Sequence, residues 1–545
     1  MCFRFKYRLW GFVAILLLHS SGNAQPSFAK VWDRTYTGGQ LYSAKPTYDG
    51  GYIMCGVSYV GIAGDKTEPL IGHSDIWVVK ADSLGNKEWD RTIGGNFVDG
   101  FSKVFPARDS SGFLLCIASS SNLSGNKTEN SIGLLQSVDY WIVKLDNHGV
   151  VVWDKTIGAY DTDYPVGIEQ TPDGGLVILG ESNSDNTGHK TDTVRGKDFD
   201  LWVVKLDSSR NILWDKTIGG MDVEYARCIT TDKHGNIIAG GVTASDSGID
   251  VSQARKGIID YFLVKIDANG ETIWNKRYGG EFYNDLSAIT ATHDGGFVLL
   301  GYSTSGIGGD KTTPKIDTVL YYDDYWLVKV DSNGNKEWDR SYGGIGLDRT
   351  NFGAIFQTTD RGFLLSGYSY SQASGNKSED NLGYTQLWMV KTDYLGNLIW
   401  DKTIQTKSHT NGGAVIPLSG QCYVATSSVV DGSGGYQSLS PFAYLGYPGY
   451  WLLKICDTAD YNYAQTQATQ SELNILPNPS SNFIQLQSIH GDVSDVKIFS
   501  SNGQLVKESS DAFQIDISNL LPSVYVIRAS AGGNTYHRKL VKSKD

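Results

Sequence analysis

The sequence predicts an all-β protein: a seven-bladed β-propeller of four-stranded blades, its ring closed by the N-terminal strand, followed by a small Ig-like β-sandwich. Three observations predict it. One hairpin recurs at a nearly fixed period. The first and last copies are incomplete in complementary ways. The strand pattern changes beyond residue 472.

The hairpin reads DIWVVKADSLGNKEWDRTIGG, DYWIVKLDNHGVVVWDKTIGA, DLWVVKLDSSRNILWDKTIGG, DYFLVKIDANGETIWNKRYGG, DYWLVKVDSNGNKEWDRSYGG and QLWMVKTDYLGNLIWDKT. Its second Trp falls at Trp89, Trp153, Trp214, Trp274, Trp338 and Trp400, and Trp32 adds a copy without a preceding strand. The intervals are 57, 64, 61, 60, 64 and 62 residues, the mark of a repeat architecture. In the third copy, 164–171 is a first strand, 172–175 (PDGG) a turn, and 176–181 an interior strand apolar on both faces. A polar loop then leads to the hairpin strands 201–206 and 212–217. Four short strands per period make one propeller blade. The hairpin turns carry Asp first and Gly fourth (Asp82 and Gly85, Asp146 and Gly149), which suits a type I turn followed by a left-handed residue.

Seven fourth strands and seven third strands are present. The fourth strand around Trp32 has no blade of its own, and the third strand around Trp451 has no fourth strand. They complete each other, which removes an open sheet edge. The Trp residues on these strands are packing residues. A Lys in every third strand (Lys80, Lys144, Lys205, Lys265, Lys329, Lys391, Lys454) is structural by its regularity, paired with a carboxylate or snorkelling.

The expected organisation is a signal peptide at 1–24, the propeller at 28–457, a linker at 458–472 and a C-terminal domain at 473–545. Arg4, Lys6 and Arg8 precede an apolar stretch from Leu9 to Leu18, and Gly22, Asn23 and Ala24 supply small residues for cleavage. The apolar stretch is too short to span a bilayer, so no transmembrane segment is expected in the mature chain. Glycine (63), Tyr (31) and Trp (14) are abundant, as tight turns and aromatic strands require. A formal charge of −12 lacks the basic stripe of a nucleic-acid partner. Five Cys remain after Cys2, with no CxxC; Cys55 and Cys116 occupy matching apolar slots, and a Cys422–Cys456 bridge stays open.

The repeated hairpin is similar to the tryptophan-docking repeat of quinoprotein propellers. Those have eight blades, an adjacent Cys pair and a calcium–quinone site, so no cofactor is carried over. It resembles more closely the repeat propellers of secreted Bacteroidetes proteins, which imply no particular activity. Pro477, Asn478 and Pro479 with Ile484, then Val496–Val506 with Gly503, then Tyr525 within VYV, and Lys539 and Lys542 at the end resemble the type A C-terminal sorting domain of the type IX (Por) secretion system. That resemblance implies the type IX machinery as a partner and export through the periplasm to the cell surface or the extracellular space.

Long second-to-third-strand loops on one face are the expected seat of recognition. Acidic residues recur ten places after the marker Trp, at Asp99, Asp163, Glu224 and Asp348, with Asp285 one place further. They are expected at the channel mouth, either capping loops or meeting a cation or sugar hydroxyls. Tyr321, Tyr322, Tyr436, Tyr444 and Tyr447 are contact candidates, since Tyr offers area at low entropic cost. Five loops carry Gly-x-Lys-Thr/Ser, at Lys66, Lys127, Lys190, Lys311 and Lys377, more as a structural lock than as a basic contact ring. There is no Ser-His-Asp arrangement, no metal-binding His cluster and no nucleotide loop, so no catalytic residue, metal or cofactor is assigned. The expectation is a secreted or cell-surface binding module for protein or glycan. The alternative is a polysaccharide lyase or glycoside hydrolase with its active site at the channel mouth, because paired carboxylates are set in space rather than in sequence.

Overall fold

A computed structural model divides the chain into two compact units, residues 1–456 and 457–545. It describes residues 25–458 and 473–542 apart from short stretches, the longest of them 439–447. The predicted signal peptide and nearly all of the predicted linker lie outside the described residues. The regular elements of the fold are β-strands.

In the first unit, Asp163–Gln170, Leu176–Ser182, Asp200–Leu206 and Ile212–Ile218 pair antiparallel in chain order. This is the third of seven such sheets. Residues 40–93, 99–157, 224–278, 284–342 and 348–404 repeat it, the first strand of the sixth being split into Asp348–Arg349 and Ile355–Gln357. The seventh sheet joins Val415–Pro417, Cys422–Val429 and Gly449–Asp457 to Phe28–Thr37 from the start of the chain.

Each sheet packs on the next. The core between the second and third sheets joins Tyr140 and Ile142 to Ile178 and Trp202. The core between the seventh and first joins Tyr450 and Leu452 to Trp77 and Val79. Seven sheets therefore make seven sheet-to-sheet cores, one more than an open stack provides. The third-strand Trp residues Trp77, Trp141, Trp202, Trp326, Trp388 and Trp451 are fully buried there. Each contributes roughly 4–6 kcal/mol of gross hydrophobic stabilisation. Tyr140 packs on Trp202 with ring centroids 4.9 Å apart, and its hydroxyl donates to the Trp202 carbonyl at 3.3 Å.

Repeated side chains lock each sheet internally. Trp202 Nε1 donates to Asp215 Oδ2 at 2.9 Å, and Thr191 of the Gly-x-Lys-Thr loop donates to the same carboxylate from its backbone N–H and its hydroxyl. The Asp of each Trp-Asp pair is thus the post on which the long loop is tied. In five sheets the third-strand Lys pairs with the carboxylate of the first turn, as Lys205 does with Asp173 at 3.0 Å and Lys391 with Asp360 at 2.7 Å, whereas Lys144 Nζ makes no such bond. Gly175 lets Lys205 approach, because a Cβ there would lie 2.2 Å from the Leu206 carbonyl and 2.5 Å from Lys205 Nζ. The hairpin turns have the expected left-handed fourth residue: Gly149 has φ +79° and lies against the Trp89 ring of the preceding sheet.

Cys422 and Cys456 face each other on paired strands and form a disulfide. Cys55, Cys116 and Cys228 are buried and stand outside this bridge.

The second unit has two sheets. Leu473–Leu476, Phe483–Ser488 and Ile515–Asp516 form one; Val493–Ser500, Leu505–Ser509, Ser523–Ala531 and Asn534–Lys542 form the other. Ile475, Ile484 and Leu486 pack against Val496, Ile498, Ile527 and Leu540. Tyr525 is buried and donates to the Leu521 carbonyl at 2.8 Å. Lys539 pairs through its backbone with Val526, and Lys542 is buried opposite Ser523. Pro477, Asn478, Pro479 and Gly503 lie outside the described residues.

Candidate functional site

The first strand of each sheet is the innermost, and together they surround a cavity of about 850 Å³ to which all seven sheets contribute. Side chains at alternate positions of these strands point inward, as the period of two requires. Two groups of charges result.

One group is basic and aromatic. Lys45 Nζ sits 5.8 Å from the Phe105 ring centroid, Lys103 Nζ sits 5.9 Å from that of Phe101, and Phe101 meets Tyr42 at 5.7 Å. Burial holds both ammonium groups below the usual lysine range; their mutual repulsion adds to this at Lys103, and Glu169 opposes it at Lys45. The other group is acidic and already networked. Arg227 grips Asp285 with two bonds of 2.9 and 3.2 Å, and Tyr302 donates to Asp285 at 3.2 Å. Glu181 accepts the Ala226 N–H at 2.9 Å. Burial pushes its carboxyl up to about 7, against the pull of Arg227 and that N–H.

A smaller cavity adjoins Asp285 and Tyr302 and is lined also by Tyr321, Asp323 and Arg349. Tyr321 is 71% exposed and Tyr322 41%. Both are open to solvent, and Tyr321 lines that cavity. Tyr436 instead packs in the core between the sixth and seventh sheets, with Lys402 Nζ 5.7 Å from its ring centroid and the neighbouring Gln437 buried. Tyr444 and Tyr447 lie outside the described residues.

Of the two roles expected for the four acidic residues, capping a loop or meeting a ligand, the observed hydrogen bonds are those of capping. Asp99, Asp163, Glu224 and Asp348 have no accessible surface. Each starts a first strand and turns into the joint with the preceding sheet. There it accepts the backbone N–H four residues upstream: Gly95 at 2.7 Å, Ala159 at 2.6 Å, Gly220 at 2.8 Å and Gly344 at 2.8 Å. They cap loops and have no face for an external ligand. The equivalent residue in the fifth sheet is Asn284, opposite Ser303, and not Asp285. That one-place difference turns Asp285 to the other face of its strand and into the cavity. The loop lysines are also interior. Lys190 donates to Ser182 Oγ at 2.9 Å and to the Ser184 carbonyl at 2.7 Å, and Lys127 lies 5.5 Å from the Trp141 ring centroid.

Lys45, Lys103, Glu169, Glu181 and Arg227 were not singled out by the repeats. Their signal is departure from the repeat: the first strands SAKP, SKVFP, GIEQ and ARCIT, and the second strand LVILGES that carries Glu181, differ from copy to copy while the hairpins agree. Among the described residues, no helix is long and apolar enough to cross a membrane, and no group of three or more His, Cys, Asp or Glu could hold a metal.

Three comparisons bear on this chain. Over 249 residues it is 21% identical to the regulatory protein FlaEY of Caulobacter vibrioides, spanning 44% of this chain and 26% of that protein. Among solved structures, the Neurospora crassa Pan2 WD40 domain covers 78% of this chain and 95% of its own at 9% identity and a TM-score of 0.40. The extracellular domain of the putative hybrid two component system BT3049 from B. thetaiotaomicron covers 96% and 58% at 10% identity and a TM-score of 0.35. At the C-terminal end, residues 474–543 match the family described as Secretion system C-terminal sorting domain, so the second unit resembles a domain that directs a protein to export.

Proposed function

We propose that residues 28–457 are a closed seven-bladed β-propeller acting as an extracellular binding module for a glycan or protein. It is exported by the type IX system through an Ig-like sandwich at 473–545, after a signal peptide at 1–24 has led it into the periplasm. The seven sheet-to-sheet cores support the closed ring. The central cavity carries the binding function. Lys45 and Lys103 stand in it beside Phe101, Phe105 and Tyr42, their ammonium groups over rings. An acidic ligand, such as a uronate or sulfate of a glycan or a protein carboxylate, meets both a charge and an apolar face there. The test is an acidic-glycan array beside acidic peptides, probed with the purified chain and with a Lys45→Ala/Lys103→Ala variant. Binding that the variant loses supports this function; binding that it keeps rejects it.

Glu181 favours one second function. A carboxyl pushed up to about 7 within a cavity suits a general acid, as a polysaccharide lyase or glycoside hydrolase needs. Depolymerisation of an acidic polysaccharide that Glu181→Gln abolishes would establish it.

A further inference from the structure

The buried carboxyls at the sheet joints form a pattern of their own. Each joint brings the first residue of a third strand against the first residue of the next sheet. The pairs are Asp75 with Asp99, Asp139 with Asp163, Asp200 with Glu224, Asp260 with Asn284 and Asp324 with Asp348, and every member is fully buried. At the fourth of these joints the Asn284 amide donates to Asp260 Oδ1 at 3.3 Å and to the carbonyls of Ile259 at 3.2 Å and Phe282 at 3.1 Å. Its carbonyl oxygen accepts Ser303 and Ser305 at 2.7 and 3.1 Å.

The Asp residues in the same place use one oxygen as Asn284 uses its carbonyl: Asp348 Oδ2 accepts Ser371 Oγ and the Gly344 N–H. At this point Asn284 turns an N–H toward Asp260, and an ionised carboxyl in its place has none to give. Asp163 Oδ1 and Asp348 Oδ1 lack a hydrogen-bond partner, and so do Asp139 Oδ1, Asp200 Oδ1 and Asp324 Oδ1 across the joint. Two buried acceptors set against each other without a hydrogen between them are strongly disfavoured if both are charged.

The charges around these joints differ from one to the next. Lys127 and Lys190 face the Asp139–Asp163 joint, Lys190 and Arg277 the Asp200–Glu224 joint, and Lys311, Lys315 and Lys377 the Asp324–Asp348 joint. Lys127 faces Asp99 as well as Asp139, and Lys190 faces both Asp163 and Asp200, so each of these two lysines is shared between two joints. Where Asn284 replaces a carboxyl, the one anion, Asp260, meets Arg277 at 3.5 Å and is also faced by Lys256. Arg277 is fully buried and takes the place of the loop lysine, whose position in that sheet is Val251.

We propose that the Asp139–Asp163, Asp200–Glu224 and Asp324–Asp348 joints each hold one proton between their two carboxyl groups, where Asn284 supplies an N–H, and that the ring of sheets loosens as rising pH removes these protons. Burial, with the neighbouring carboxylate adding to it, pushes Asp139 and Asp324 up to about 7. A group that holds its proton more tightly when folded stabilises the fold most at low pH and loses that advantage between about 4 and about 7.

The test is thermal unfolding of the full chain at pH 5 and pH 8. The wild-type midpoint should fall by roughly 5 °C or more on going to pH 8. Asp163→Asn copies the Asn284 joint and should raise the pH 8 midpoint and shrink the difference between the two pH values. Asn284→Asp should lower the pH 8 midpoint and enlarge it. The proposal is overturned if Asp163→Asn lowers both midpoints equally, or if Asn284→Asp leaves the pH dependence unchanged. It is overturned in favour of a bound cation if EDTA lowers the wild-type midpoint at pH 8 and calcium restores it.

Discussion

Trp451 Nε1 donates to Asp33 Oδ2 at 3.3 Å across 418 residues of chain. The same bond is made within a hairpin by Trp202 and Asp215, only 13 residues apart. A local motif of the repeat thus becomes, in the seventh sheet, the clasp between the two ends of the ring. Ser438 strengthens it by donating its N–H and hydroxyl to Asp33 at 2.8 and 2.7 Å. Burial alone would raise the Asp33 carboxyl, but these bonds and the one from Lys30 hold it below the usual carboxylate range.

Asp33→Ala should therefore destabilise the first unit by about 2–3 kcal/mol, the cost of leaving a buried indole and loop N–H without their charged acceptor. Asp33→Asn should cost less, because Asn275 already fills this place in the fourth sheet and accepts Ser252 at 2.6 Å. Denaturant unfolding of the two variants checks the order.

Acid unfolding should report the other Trp-Asp posts. Burial opposes ionisation of Asp339, but Lys336, Thr312 and Trp326 outweigh it and bring the carboxyl down to about 2. A lowered value gives stability that is present above about 4 and lost as the pH falls toward 2. Asp339→Asn should flatten the acid limb of the midpoint-versus-pH curve. This limb is opposite in sign to the one expected of the joints.

Ligand binding should weaken above neutrality. Glu181 is neutral below about 7 and charged above it, and a new negative charge beside Arg227 opposes an acidic ligand. Affinity measured by calorimetry should fall between pH 6 and 8 in the wild type and stay level in Glu181→Gln.

Reduction should weaken the seventh sheet. The Cys422–Cys456 bridge closes a loop across a sequence separation of 34 and should contribute about 3 kcal/mol. Unfolding with and without dithiothreitol should differ in the wild type and coincide in a Cys422→Ser/Cys456→Ser variant.

Gly396→Ala should destabilise by about 1–2 kcal/mol, because the residue has φ +75° and its Cβ would stand 2.7 Å from the Trp338 ring. Chemical denaturation against wild type measures this.

The hairpin, the turns and the completion of the seventh sheet by Phe28–Thr37 are legible in the sequence because each is written as a local pattern and copied. The functional candidates were harder to read. Repetition drew the eye to Asp99, Asp163, Glu224 and Asp348, and those are the residues the sheet joints use. Lys45, Lys103, Glu181 and Arg227 come from different copies and share no motif, so only the packing of sheet on sheet brings them to one cavity.

By itself, then, the sequence determined the strand order, the period and the C-terminal sorting motifs. Those depend on side-chain alternation and turn chemistry within a few residues. The tertiary structure alone decided which carboxyls are sealed between sheets and which face the cavity. In a strand, neighbouring residues point to opposite faces, so a shift of one place, from Asn284 to Asp285, separates a buried joint from an open site.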